Sequence, residues 1–155
     1  MVKMNTQRLE FLVADFLGVR DNLIVPNVWW GLGLPYEADL VVVSSFGYAT
    51  EIELKISESD IKADLNKDSC AHKSKKFKRF FYAVPDELKY CEFLPKDCGL
   101  IIARERMYSN GKNCMIVRPP KINRNAKKLT EQEYNTLLRL CSMRVWSLKE
   151  KLIKK

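Results

Sequence analysis

Residues 37–57, EADLVVVSSFGYATEIELKIS, decide the fold because two apolar strands in this stretch carry charged side chains. Asp39 stands at the start of the first strand, and Glu51, Glu53 and Lys55 follow along the second. An antiparallel hairpin normally buries one apolar face and keeps its charged residues on the solvated side. Charges within strands that otherwise resemble core therefore indicate either a solvated face or a chemical role.

The turn of this hairpin predicts its register. Gly47 suits the left-handed position that closes a three-residue loop, which would set Ser44 opposite Tyr48. A two-residue loop would instead set Leu40 against Glu51 and oppose apolar to charged residues throughout. Because side chains alternate between the two faces of a strand, the apolar pattern selects the three-residue loop.

In this register the apolar residues share one face and the acids share the other. Leu40 faces Ile52, and Asp39 faces Glu53 with Cβ atoms about 5 Å apart. Two carboxylates this close repel each other, and a bound cation would remove the repulsion. Carboxylate oxygens with positions left open for water and phosphate suit Mg²⁺ or Mn²⁺. The register also sets Ala38 opposite Leu54 and places Glu51 and Lys55 on the face of Glu53.

Lys55 gives the two acids a cationic neighbour. An ammonium group there can orient or help to activate a water, or stabilise charge that develops on a phosphate. The alternative is an exposed face on which Glu51, Glu53 and Lys55 only pair with their neighbours.

The remaining sequence predicts a single α/β domain over residues 1–155, in which a mixed central sheet is flanked by helices. Apolar residues spaced three or four apart predict a first helix that ends at Gly18. Ser57 can cap a second helix, and Thr130 with Glu133 forms the capping-box pattern of the last one. We predict helices over 6–18, 57–68, 85–93 (short) and 130–153 (long), and strands over 24–31, 80–85, 98–105 and 114–119 beside the hairpin.

Composition predicts a soluble, cytoplasmic protein whose basic charge indicates either a polyanionic partner or no more than solubility. The apolar runs are too short to cross a bilayer, and the amino terminus lacks the apolar region of a signal peptide. The net charge of +8 divides into −5 over residues 1–61 and +13 over residues 62–155. A basic body with a local acidic cluster suits a protein that attracts a polyanion and holds a cation within it. The five cysteines lack metal-ligand spacing and are predicted to be reduced and mostly buried.

Two basic segments are the predicted nucleic-acid contacts. The first precedes the strand at 80–85, and we expect it beside the acidic site, where it would bind phosphates without reading sequence. The second is the loop before the last helix. Each could equally be a solvated loop. The predicted contacts are Lys73, Lys75, Lys76, Lys78 and Arg79 in the first segment, and Lys121, Arg124, Lys127 and Lys128 in the second.

Four further features have both a functional and an ordinary interpretation. Asp60 and Asp64 lie one helical turn apart and could support the site, or cap the helix and pair with Lys67. Trp29 and Trp30 would point to opposite faces of a strand, where one could stack on a base. His72 could contact phosphate or stand alone in a loop. The long helix could supply a homodimer face through Leu137, Leu138, Leu140, Val145, Leu148 and Leu152.

The hairpin resembles the PD-(D/E)XK nuclease superfamily, which has the restriction-endonuclease-like fold. That pattern is an Asp at the head of one strand and (Asp/Glu)-x-Lys on the next, within an αβββαβ core. Asp39 and Glu53-Leu54-Lys55 match it, and the order of elements fits over roughly residues 6–105. Many members carry another acid on the first helix, to which Glu10 corresponds, with Asp15 as a weaker substitute. Ala38 stands where a proline often precedes the Asp.

Within the superfamily, EIELKISESDIKADLNKD followed by FFYAVP and CGLII looks most like small MmcB-like DNA-repair proteins. The resemblance implies a Mg²⁺- or Mn²⁺-dependent nuclease that hydrolyses DNA phosphodiester bonds in repair, recombination or defence. By that resemblance Asp39, Glu53 and the Leu54 carbonyl would hold the metal. Lys55 would position the attacking water, and Glu10 would hold a metal-bound water or a second ion.

Two other functions remain open. A nuclease-fold module could bind nucleic acid or a protein partner without cutting it. A basic α/β protein could also carry the hairpin acids only as surface charge.

Overall fold

The computed structural model describes residues 3–65 and 75–155, and its helices and strands follow the predicted order. The elements are α1 (Thr6–Leu17), β1 (Leu23–Val28), β2 (Ala38–Val43), β3 (Ala49–Leu54), α2 (Glu58–Leu65), β4 (Arg79–Pro85), a short 3₁₀-helix (Asp86–Leu88), β5 (Gly99–Ala103), β6 (Cys114–Arg118) and α3 (Glu131–Ile153). The predicted short helix over 85–93 is thus a single 3₁₀ turn.

The six strands form one mixed sheet in the order β1-β2-β3-β4-β5-β6. Strands β1, β2 and β3 are antiparallel neighbours, β3, β4 and β5 are parallel, and β6 returns antiparallel to β5. The predicted fold class, a mixed sheet flanked by helices with a long C-terminal helix, is confirmed.

The hairpin of β2 and β3 has the predicted register. Gly47 takes the left-handed conformation with φ 82°, and the Ser44 N–H donates to the Tyr48 carbonyl. The strand pairing then continues to Leu40 opposite Ile52. The prediction of a three-residue loop is therefore confirmed.

Beyond that pair the hairpin departs from the prediction. The Leu54 N–H donates to Asp39 Oδ2 at 2.8 Å, and Ala38 packs in the cluster of Val41 rather than in that of Leu54. The prediction that Ala38 and Leu54 share one apolar face was wrong. A left-handed Asn27, with φ 52°, lies across from Asp39 on β1 and turns the strand at this point. The sheet edge is irregular where the carboxylates lie.

Helices cover the two faces of the sheet unequally. Helix α1 packs Leu9, Leu12 and Val13 on one face. On the other face, α3 packs Leu137 and neighbouring residues against β1 and β2, and α2 packs Ile61 against β4 and β5. On that second face, the charged residues of β3 lie between α2 and α3.

The helix boundaries follow the predicted caps. Gly18 ends α1 with φ 81°, and Ser57 Oγ accepts from the Asp60 N–H at 3.2 Å before α2. Thr130 and Glu133 form the complete capping box of α3. Ser57 and Thr130 satisfy backbone N–H groups that have no partner within a helix, whereas the Gly18 N–H donates to the Asp15 carbonyl at the other end of α1.

The two tryptophans lie after β1 rather than on it. Trp29 is exposed, whereas Trp30 packs against the core beneath α3, and their rings meet edge to face at 5.9 Å. The prediction of opposite faces of a strand was wrong because β1 ends at Val28.

The four described cysteines, Cys91, Cys98, Cys114 and Cys141, are free thiols, and two of them are buried. Cys70 lies outside the described residues. Among the described helices, none is both long and apolar enough to cross a membrane.

Candidate active site

The structure brings Asp39, Glu53 and Lys55 together at one edge of the sheet. Strand β2 begins where β3 ends, so Asp39 lies beside the carboxyl end of β3. Lys55 Nζ lies 3.0 Å from Glu53 Oε2. The Leu54 N–H donates to Asp39 Oδ2, which holds the Asp39 carboxylate beside the end of β3. The three residues therefore form one charged cluster, as their spacing predicts.

Glu53 is the most perturbed member of this cluster. Only 6% of the residue is exposed, and its pKa is raised to about 7, mainly by burial and then by the Asp39 charge. The Lys55 ammonium acts in the opposite direction and offsets only part of this shift. Burial and the neighbouring carboxylate therefore favour the neutral form of Glu53, and a cation bound beside it would favour the charged form.

Glu10 reaches this cluster from α1. Burial raises its pKa first, and the Asp39 charge raises it further, so the two carboxyl groups lie within electrostatic range of each other. Asp15 lies elsewhere, near Cys114 of β6, where its charge adds to the effect of burial in raising the pKa of that thiol. Of the two acids predicted on α1, the structure thus brings Glu10 to the site.

Asp64 and Tyr82 hold Lys55 from the other side. Lys55 Nζ lies 3.3 Å from Asp64 Oδ1, and the Tyr82 hydroxyl donates to Asp64 Oδ2 at 2.5 Å. Tyr82 is also the residue of β4 directly beside Glu53. Burial lowers the pKa of Lys55, but Glu53 and Asp64 outweigh it, so the pKa is raised and the ammonium stays charged. Asp64 therefore supports the site, while the backbone N–H of Asp60 donates to Ser57 Oγ, which caps the helix. Lys67, the predicted helical partner of the two acids, lies outside the described residues.

Glu51 is a second buried acid on the same face of β3. It is 0% exposed, its Oε2 accepts from the Tyr36 hydroxyl at 2.8 Å, and its Oε1 is buried without a hydrogen-bond partner. Burial raises its pKa to about 8 despite the hydrogen bond from Tyr36. The sequence places Glu51 on this face, but Tyr36 comes from a loop with no periodic pattern that would predict the contact.

The donor set of the cluster suits a hard divalent cation held largely by water. Asp39 Oδ2 and Glu53 Oε2 have hydrogen bonds, and their second oxygens accept none from the described residues. Within residues 3–65 and 75–155, no group of three or more His, Cys, Asp or Glu side chains is arranged to hold a metal ion. Two carboxylates with several waters are an ordinary Mg²⁺ arrangement, so these two residues fit such an ion.

The first basic segment does not lie where the sequence analysis expects it. Arg79 pairs with Thr50 at the amino end of β3, roughly 10 Å along the strand from Glu53. The expected position beside the acids was wrong for Lys78 and Arg79, because β4 runs parallel to β3 and begins at the opposite end of the sheet. Lys73 and His72 lie outside the described residues.

The structure nevertheless joins the two basic segments. Lys78 Nζ lies over the Tyr48 ring at 4.4 Å, and the Asn123 N–H donates to the Lys78 carbonyl at 3.0 Å. The hydrogen bond from Asn123 places the second basic segment beside the start of β4. Lys76 forms an ion pair with Glu133 of α3. We name the resulting surface the far-end basic cluster: Lys75, Lys78, Arg79, Lys121 and Arg124.

A cleft of about 1160 Å³ opens next to the acidic cluster, where β3, β4 and β5 end. Its floor is apolar and includes Met4, Ile56 and Pro85. An ion pair between Arg8 and Glu105, 2.8 Å long, lies at its rim. The lining of the cleft begins one residue beyond Lys55 and includes none of Asp39, Glu53 and Lys55.

Comparison with known proteins identifies the fold alone. No family model matches the chain, and no curated protein matches it. A solved structure of a protein of unknown function from Silicibacter pomeroyi is 23% identical, with a TM-score of 0.65 over 97% of this chain and 93% of that chain. This likeness supports the α/β architecture, and it carries no activity to this chain.

Proposed function

We propose that this protein is a Mg²⁺- or Mn²⁺-dependent nuclease that hydrolyses DNA phosphodiester bonds and belongs to the PD-(D/E)XK superfamily. The observation that carries the proposal is Glu53, a nearly buried acid held between Asp39 and Lys55 at the end of β3. Burying an acid beside another acid costs free energy, so its presence favours a chemical role over chance surface charge.

The residues of the chain divide the work among them. Asp39 and Glu53, with the Leu54 carbonyl, would hold the ion, which when bound polarises the phosphate and lowers the pKa of a bound water. Lys55 positions the attacking water and stabilises negative charge that develops on the phosphate. Glu10, within electrostatic range of Asp39, would hold a metal-bound water or a second ion. Asp64 and Tyr82 restrict the Lys55 ammonium to one direction.

The distribution of charge supports a polyanionic substrate. The far-end basic cluster can bind backbone phosphates while the acidic cluster binds and hydrolyses one phosphodiester. We assign DNA rather than RNA on the resemblance to DNA-repair proteins. The free thiols fit a reducing compartment such as the cytoplasm.

The second candidate is a nuclease-fold module that binds nucleic acid or a protein without cutting. The observation that favours it is the engagement of Lys55 by two carboxylates, since the same contacts would also form a purely structural ion-pair network. Both functions share the fold and the basic surface.

Cleavage of DNA in the presence of Mg²⁺ tests the proposal, and thermal stabilisation by the ion separates it from surface charge. We expect millimolar Mg²⁺ to raise the melting temperature of the wild type and to leave Asp39→Asn unchanged. Asp60→Asn, at an exposed acid outside the cluster, is the matched control and should respond like the wild type. Equal responses of all three proteins would refute the metal site.

A further inference from the structure

The second half of α3 extends past the sheet with its apolar side chains uncovered. Cys141 Sγ donates to the Ile24 carbonyl, and Arg144 Nη2 donates to the Asn27 carbonyl at 2.5 Å, so α3 runs alongside β1 and passes its end. No other described segment covers the helix beyond this point to any large extent. Its large apolar residues are strongly exposed: Val145 51%, Trp146 67%, Leu148 60%, Leu152 71% and Ile153 84%.

Five of the residues on α3 follow the spacing of a coiled-coil seam. The intervals between them alternate three and four residues, which places apolar side chains on one narrow stripe of a helix. The stripe lies beside the face that packs Leu137 and Leu140 against the sheet. We name it the α3 seam: Leu138, Cys141, Val145, Leu148 and Leu152.

The charges that flank the α3 seam are positive. Lys149 and Lys151 occupy the two positions that border the stripe in a heptad, and Arg144 occupies the same position as Lys151 one heptad earlier. Glu150 lies on the outer side of the helix and pairs with Lys154. A second copy of this chain would bring like charges together along the seam in either direction, whereas a helix with flanking carboxylates would complement them.

The same stripe is poorly suited to a membrane surface. Lys149 Nζ lies 5.6 Å from the centre of the Trp146 ring and stands between the seam and the pair Trp146 and Ile153. The ammonium group of Lys149 therefore divides the exposed apolar side chains into two stripes rather than one broad apolar face. A partner helix contacts only the narrow stripe and leaves Lys149 free to pair at its border.

We propose that the α3 seam binds an acidic amphipathic helix of a partner protein. The partner would place apolar residues at alternating intervals of three and four against Val145, Leu148 and Leu152. Its glutamates or aspartates would lie opposite Lys149 and Lys151. This inference is independent of the nuclease proposal, because the seam shares no residue with the acidic cluster.

The test uses the full chain and a designed 21-residue peptide with leucine at the two seam positions of each heptad and glutamate at the two bordering positions. A second peptide carries lysine in place of glutamate. We expect saturable binding of the glutamate peptide in fluorescence anisotropy, at least tenfold weaker binding in Leu148→Ser, and no binding of the lysine peptide. The double change Lys149→Glu with Lys151→Glu should reverse the preference.

The matched control is Met143→Ser, which removes an exposed apolar residue from the outer side of the same helix. This variant should bind like the wild type. Three outcomes overturn the proposal: no saturable binding of the glutamate peptide, equal binding of both peptides, or equal binding by Leu148→Ser and wild type. A wild-type dimer dissociated by Leu148→Ser would show self-association instead, and seam-dependent binding to phosphatidylserine vesicles would show a lipid surface instead.

Discussion

Among the single residues, Glu51 is an acid in a position that favours its neutral form. Its pKa is about 8 in the folded protein against an ordinary value of 4.5, so the folded state binds this proton more tightly than the unfolded chain. The stability it contributes is complete below the ordinary pKa and is lost as the pH rises through the folded value. The shift corresponds to an effect on the order of several kcal/mol.

Glu51→Gln should therefore flatten the pH dependence of stability. Glutamine can still accept the hydrogen bond of Tyr36 but cannot ionise. Urea unfolding between pH 5 and pH 8 should show the wild type losing more unfolding free energy than the variant as the pH rises. Parallel curves for the two proteins would contradict the buried, neutral state of Glu51.

Asp64 is predicted to act through Lys55. Asp64→Asn removes one of the charges that raise the pKa of Lys55, so that pKa should fall towards its ordinary value. Titration of isotope-labelled lysine side chains by NMR measures the change without requiring any activity. Asp60→Asn should leave the titration of Lys55 unchanged, and an equal effect of both variants would refute the specific contact.

At the scale of the elements, the pairing of β4 with β5 depends on Gly99. It lies opposite Phe81, and a Cβ at this position would come within 2.4 Å of the Phe81 ring. Gly99→Ala should therefore destabilise the protein by about 1–3 kcal/mol through overpacking. Chemical unfolding of Gly99→Ala, Phe81→Leu and the double variant tests this, because the smaller side chain should restore part of the loss. Additive losses would show that the contact is not the cause.

The sequence predicts the elements well where local chemistry determines them. Gly47 and the alternation of apolar residues determine the hairpin register, and Thr130 with Glu133 determines the start of α3. The sequence does not predict the contacts between segments that lie far apart in the chain. Neither Tyr36 on Glu51 nor the left-handed Asn27 across from Asp39 has a local signal, since both depend on the packing of the completed sheet.

The same distinction explains the basic residues. Lys78 is close to the hairpin in sequence order but lies at the far end of the sheet, because a parallel crossover returns the chain to the start of β3. Asp39, Glu53 and Lys55 could be predicted to lie together because the first two belong to adjacent strands and Lys55 directly follows the second strand. For Asp64 the sequence allows either support of the site or a pair with Lys67 within the helix, and the fold shows the contact with Lys55.

At the scale of the whole molecule, the separation between the two charged surfaces predicts a minimum length of DNA. From Thr50, which pairs with Arg79 of the far-end basic cluster, to Glu53 the strand spans about 10 Å, which corresponds to about three base pairs of duplex at 3.4 Å each. Duplexes that extend at least this far from the bound phosphate should bind more tightly than shorter ones at equal salt. Fluorescence anisotropy across a length series measures this.

Neutralising the far-end basic cluster should weaken binding without altering the chemical step. If DNA binds as proposed, Lys78→Ala with Arg79→Ala removes two of the proposed phosphate contacts, so the slope of log affinity against log salt should decrease by about two. The advantage of long duplexes should diminish in the same variant. An unchanged length dependence would show that the DNA does not reach this surface.

The most direct test of the proposed activity is cleavage of supercoiled and linear DNA by the wild type, Asp39→Asn and Lys55→Ala in Mg²⁺ or Mn²⁺ and in EDTA. Lys62→Ala, at an exposed lysine of α2 that pairs with Glu58, is the matched control. We predict metal-dependent cleavage by the wild type and the control, and a loss of at least a hundredfold in both site variants. Intact DNA with every protein, or equal cleavage by Lys55→Ala and the wild type, would contradict the proposal.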